Sequence, residues 1–125
     1  MTQEDYVSFE TAKLLKEKRF DVYVRSFYEK DVYRTKEEFS TNNALWNWNI
    51  SSFRYSAPTL QMAMKWLREV HKIEIRVIYD NDKLCWYGAC NPMSESQILL
   101  GFGRKCKSYE EACEAAIKYC LEHLI

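Results

Sequence analysis

The sequence predicts an α+β domain, an antiparallel sheet with helices packed on one face, and three observations carry that expectation. Two segments, 56–71 and 108–125, repeat apolar residues at helical spacing behind an N-terminal capping signal. Two β-type runs, 73–79 and 83–90, flank the turn-forming triplet Asp80-Asn81-Asp82. A composition of 47% hydrophobic and 29% charged residues describes a packed globule rather than a disordered tail.

Taken in chain order, Ser8 can cap a short helix over 9–18, with Phe9, Ala12 and Leu15 on one stripe and Lys13, Lys16 and Glu17 turned to water. Residues 21–28 are rich in β-branched and aromatic side chains, 29–31 reads as a turn, and 32–34 as a short strand pairing back. The polar, aperiodic stretch 35–43 reads as a loop. From 44 to 50 the chain alternates, which predicts a strand with Trp46, Trp48 and Ile50 on one face.

Ser56 then caps a helix whose first turn tolerates Pro58 and whose inward stripe is Leu60, Ala63, Met64, Leu67 and Val70. The hairpin 73–90 follows, then a loop around Pro92 and a third strand at 98–102. Ser108 and Glu111 form a capping box ahead of the last helix, which carries Ala112, Cys113, Ala116, Ile117, Cys120, Leu121 and Leu124 on its apolar side. The C-terminal part therefore reads helix-strand-strand-strand-helix, preceded by a short helix and strands. One domain over 1–125 is expected, with 1–43 as an N-terminal extension and 44–125 as the main core.

Eighteen basic and eighteen acidic residues cancel, so no overall field draws the protein to nucleic acid or an anionic membrane. No apolar run approaches the roughly 20 residues of a spanning helix, and the N-terminus lacks the basic and apolar regions of a signal peptide. With five cysteines and no secretory signal, the expected setting is a reducing cytoplasm in which thiols serve as small apolar residues.

Catalytic constellations are missing from the sequence. The two histidines, His71 and His123, stand at helix ends, where a cation is favoured by the dipole. No C-x-x-C pair exists for zinc, and Cys113 and Cys120, seven apart, belong to the inward stripe of the last helix. Gly101-Phe102-Gly103 lacks both the Walker lysine and the G-x-G-x-x-G spacing. No cofactor, metal or enzymatic activity is expected on these grounds.

One cluster invites a functional reading. Trp46, Trp48, Phe53, Tyr55 and Trp66 fall close together, interleaved with Arg54, Lys65 and Arg68, and rings beside guanidinium groups suit stacking on a partner's side chains, a small ligand or a nucleotide. Core packing or a homo-oligomer interface is the competing use of the same rings. The candidate binding residues are Trp46, Trp48, Arg54, Tyr55, Trp66 and Arg68.

Two resemblances add to this. The blocks YVSFETAKLLKEK (6–18), YSAPTLQMAMKWLREVH (55–71) and SYEEACEAAIKYCLEHLI (108–125) resemble blocks in small uncharacterised proteins of gut anaerobes and their phages or mobile elements. That kinship implies an accessory role in counter-defence or host takeover and carries over no site residue. The helix-strand-strand-strand-helix order, with Gly101-Phe102-Gly103-Arg104-Lys105 before an alanine-bearing helix, is similar to a double-stranded RNA-binding domain. That topology implies nucleic-acid binding as the alternative function. Against it stand Glu110 and Glu111 where such domains place lysines, and Asp80 and Asp82 in the hairpin that would enter a groove. The leading expectation is a non-enzymatic binding module for a protein or small ligand.

Overall fold

The computed structural model describes residues 5–30, 32–35, 45–93 and 105–125. The fold is α+β, with three α-helices and two small antiparallel sheets among the described residues. The chain divides into two compact units, Met1–Thr59 and Leu60–Ile125.

In the first unit, α1 (Phe9–Glu17) begins where the Ser8 Oγ accepts a hydrogen bond from the Thr11 amide. It ends in a Schellman motif: the Arg19 and Phe20 amides donate to the carbonyls of Lys16 and Leu15, and Arg19 takes the left-handed conformation at φ 65°. Phe20 and Leu15, the apolar pair that accompanies this motif, are both buried. The helix thus turns its chain sharply back into the core.

The sheet consists of β1 (Ser26–Glu29), β2 (Val32–Thr35) and β3 (Arg54–Ser56), in the order β2-β1-β3. Lys30, at φ 58°, opens the two-residue connection from β1 to β2, a hairpin geometry that demands positive φ. Register fixes what each face carries. Tyr33, Tyr28 and Tyr55 lie side by side across the three strands, and Phe9 of α1 packs edge-on against both Tyr28 and Tyr55. The neighbouring row, Arg34, Phe27 and Ser56, belongs to the opposite face.

The strand expected over 44–50 is not formed by its described residues. Trp46 makes one isolated bridge to Val24, and the chain then winds into a single 3-10 turn, Trp48–Ile50, whose start is capped by Asn47 Oδ1 accepting from the Asn49 amide. Trp46 and Trp48 alternate in sequence, but a bridge followed by a turn produced that spacing. Ser56 is likewise not a helix cap. It is the last residue of β3, and its Oγ accepts from the Trp48 amide at 3.1 Å. Residues 45–59 therefore pack with the first unit, so the division falls at Thr59 and Leu60 rather than between 43 and 44.

In the second unit, α2 (Leu60–Val70) leads into β4 (Ile73–Asp80), then β5 (Cys85–Pro92) and α3 (Tyr109–Tyr119). The buried side of α2 is Leu60, Ala63, Met64, Trp66 and Leu67, and Val70 is exposed, so the stripe is rotated toward Trp66. The hairpin closes where Asp80 Oδ1 accepts from the amides of Asp82 and Lys83, an Asx turn of the kind the triplet suggested, with Leu84 left-handed at φ 53°. Both helices pack against the hairpin and touch each other, covering the row of Ile73, Ile75 and Cys90.

α3 starts as its sequence indicates, with Ser108 Oγ accepting from the Glu111 amide and Glu111 Oε2 accepting from the Lys107 amide. Beyond Tyr119 it widens into a π turn, Cys120–Leu124. Cys106 pairs with the outer edge of β5 through two bonds to Trp86, both 2.9 Å. The third strand expected at 98–102 lies outside the described residues.

Candidate functional site

The candidate site is the segment 45–54, and its distinguishing property is how firmly an irregular piece of chain is held. Trp48 is its anchor. The indole is buried 4.1 Å from the Phe27 ring, and its Nε1 donates to the Val24 carbonyl at 3.0 Å, so a large apolar side chain is buried with its one polar atom satisfied.

The two flanking asparagines serve the backbone. Asn49 Nδ2 donates to the Phe20 carbonyl and Asn49 Oδ1 accepts from the Ser56 amide, each at 2.8 Å, while Asn47 caps the turn from below. Backbone groups that a sheet would have paired find side-chain partners instead.

Lys16 closes the far end. From the last turn of α1 its Nζ donates to the carbonyls of Ser51 at 2.6 Å and Arg54 at 2.9 Å, and it stands 4.7 Å from the centroid of the Tyr55 ring. Burial holds its pKa below the ordinary lysine value.

Arg54 completes the arrangement on the opposite face of the sheet. Its guanidinium lies 5.2 Å from the Phe27 ring, 5.7 Å from Trp48 and 5.1 Å from Phe53, and its Nε donates to Glu29 Oε2 at 3.2 Å. The charge is thus neutralised by a cross-strand neighbour and shielded by three rings.

From this pinned segment large apolar side chains project into solvent. Ile50 is 69% exposed, Phe53 57%, Leu45 48% and Trp46 43%, and Tyr23, 56% exposed, lies 6.1 Å from Trp46 ring to ring. Scattered exposed hydrophobic residues need no explanation, but four within ten residues of rigidly held backbone form a display.

Of the six residues expected to bind, Trp48 and Arg54 come together and Trp46 stands two residues along the same segment. Tyr55 follows Arg54 on β3 and therefore faces the other way, against Phe9 and Lys16. Trp66 and Arg68 belong to α2 in the second unit. Trp66 is 5% exposed and packs edge-on against His71 at 4.6 Å, a core role, whereas Arg68 is exposed. Lys16, Tyr23, Glu29, Asn47 and Asn49 were not legible as partners of this segment, although the Asn-Trp-Asn run was a local sign that side chains would serve its backbone.

Both histidines belong to the second unit. Among the described residues no group of three or more His, Cys, Asp or Glu could hold a metal ion, and no helix is long and apolar enough to cross a membrane. No protein family, curated protein or solved structure matches this chain.

Proposed function

We propose that the protein is a binding module without catalytic chemistry, and that it grips a protein partner through the segment 45–54. The observation that carries this reading is the pairing of a backbone fixed by Trp48, Asn47, Asn49 and Lys16 with the exposed side chains of Leu45, Trp46, Ile50 and Phe53.

A preformed loop avoids most of the ordering cost of association, so its apolar contacts are realised as affinity. Trp, Tyr and Arg at the centre with apolar neighbours match the composition of energetic centres at protein interfaces. The kinship suggested by the three sequence blocks adds a context, an accessory protein acting on a host protein.

A photo-crosslinking residue placed at Phe53, with one at Glu114 as the control, tests this in the producing cells. One dominant adduct from position 53, absent from 114, is expected, and titration with that purified partner should show at least tenfold weaker binding for the Ile50→Ser/Phe53→Ser double variant. Equal labelling from both positions would defeat the reading. So would salt-dependent RNA binding that ignores Phe53 and falls with Lys65→Ala/Arg68→Ala, which would establish the nucleic-acid alternative.

A further inference from the structure

All five cysteines lie in the second unit, and all are buried and outside any disulfide. The binding segment uses none of them. Two are brought together from distant parts of the chain: Cys90, on the hairpin face that the helices cover, and Cys120, where α3 gives way to the π turn.

Cys120 Sγ lies 3.1 Å from Cys90 Sγ, and Cys90 Sγ lies 3.6 Å from the Ala116 carbonyl oxygen. A covalent S–S bond is about 2.05 Å, so roughly 1 Å of side-chain movement separates the thiols from bonding distance. The other three are placed elsewhere. Cys85 pairs with Asp80 on the opposite face of the hairpin, Cys106 flanks the outer edge of β5, and Cys113 stands about 10 Å back along the rise of α3.

We propose that Cys90 and Cys120 form a modification site, a peroxide-oxidisable pair that closes into a disulfide joining β5 to the end of α3. The Cys90 thiolate attacks one oxygen of hydrogen peroxide, the O–O bond breaks, and hydroxide leaves with the thiol proton as water. The Cys120 sulfur then attacks the resulting sulfenic acid, the S–O bond breaks, and a second hydroxide leaves with the Cys120 proton. Two thiols and one peroxide become one disulfide and two waters.

The order of events follows from the hydrogen bond between the two thiols. Cys120 donates to Cys90, which lowers the Cys90 pKa and raises that of Cys120, so Cys90 is the attacking sulfur and Cys120 the resolving one. Both sulfurs belong to residues with no exposed surface, so the oxidant enters when the π turn opens locally. The rate should therefore level off as peroxide concentration rises.

The test uses the intact wild-type chain. After peroxide treatment under native conditions, the remaining thiols are alkylated in denaturant and the chain is digested without reduction. Trypsin places Cys90 with Cys85 in the peptide 84–104, Cys106 in 106–107, Cys113 in 108–118 and Cys120 in 119–125, and chymotrypsin then separates Cys85 from Cys90.

Loss of two of the five thiols with one link between Cys90 and Cys120 is expected. It should be accompanied by a rise in melting temperature of about 10 °C, reversed by dithiothreitol, because the link closes a long loop in the unfolded chain. Links to Cys85, Cys106 or Cys113 in its place, thiol loss without a link, or a Cys90–Cys120 link that forms only in urea would each overturn the proposal. In Cys120→Ser, a dimedone adduct on Cys90 is expected, and an adduct on another cysteine alone would count against Cys90 as the attacking sulfur.

Discussion

The Lys16 ammonium donates at 2.6 Å to the carbonyl of Ser51, 35 positions further along the chain, so a side chain of α1 fixes the turn that carries Phe53. Replacing Lys16 by Met keeps the aliphatic stem and deletes both donors. Hydrogen bonds from charged groups are worth about 1.5–3 kcal/mol, and the partial exposure of Lys16 places the expected loss toward the lower end. Urea denaturation of Lys16→Met should show that loss, together with faster hydrogen exchange at the amides of Ser51 and Arg54. An unchanged midpoint would mean that the turn holds itself.

Trp48 should be the costliest single residue of the first unit. Trp48→Ala removes a buried indole and opens a cavity beside Phe27, for which about 3–5 kcal/mol is expected. Trp48→Phe retains a ring and leaves the Val24 carbonyl with the Trp46 amide as its remaining donor, so about 0.5–1.5 kcal/mol should be lost. Equal losses in the two variants would assign the whole effect to the hydrogen bond. The measurement is a denaturation midpoint for each variant.

Arg19 occupies the left-handed position at which helices ordinarily end on glycine, and it does so at φ 65°. That conformation costs an L-residue about 1–2 kcal/mol, and glycine gives back part of the gain through a freer unfolded chain. Arg19→Gly should therefore stabilise the protein by about 0.5–1 kcal/mol in urea denaturation. A loss would show that the Arg19 side chain contributes more than its backbone strain costs.

What the sequence made legible divides by the range of the interactions involved. The ends of α1 and α3 were readable because Ser8 and Ser108 satisfy amides three residues away, and the β4–β5 hairpin because Asp80 does the same for its own turn. The segment 45–54 was not, because its supports come from far along the chain: Lys16, Phe20 and Val24 for the turn, and β1 for a β3 only three residues long. Proximity in sequence also misled about the cluster itself. Arg54 and Tyr55 are neighbours and therefore face opposite sides of a strand, while Trp66 is consumed by the core of α2.

Burial pushes the Cys113 thiol up to about 11, against a hydrogen bond with Tyr109 that lowers it and with smaller upward contributions from Glu110 and Glu114. Its folded-state pKa thus exceeds the ordinary thiol value of 9.0, and the fold favours the protonated form. This contribution to stability is complete below pH 9 and is lost as pH rises toward about 11. Denaturation midpoints taken at pH 8 to 11 should fall with pH in the wild type and fall less steeply in Cys113→Ala. Parallel curves would remove Cys113 from the explanation of alkaline unfolding.

The exposed apolar residues provide the sharpest separation of stability from binding. Ile50 and Phe53 are 69% and 57% exposed, so Ile50→Ser and Phe53→Ser give up little buried surface, and stability should change by no more than about 0.5 kcal/mol. Leu84, 74% exposed in the β4–β5 turn, supplies a control of the same character in the other unit. Partner affinity should fall at least tenfold for the first two variants and stay level for Leu84→Ser. Similar losses for all three would indicate nonspecific adhesion of apolar side chains. A large stability loss in Phe53→Ser would instead make the ring part of the packing beneath Arg54, shifting the contact surface toward Trp46 and Tyr23.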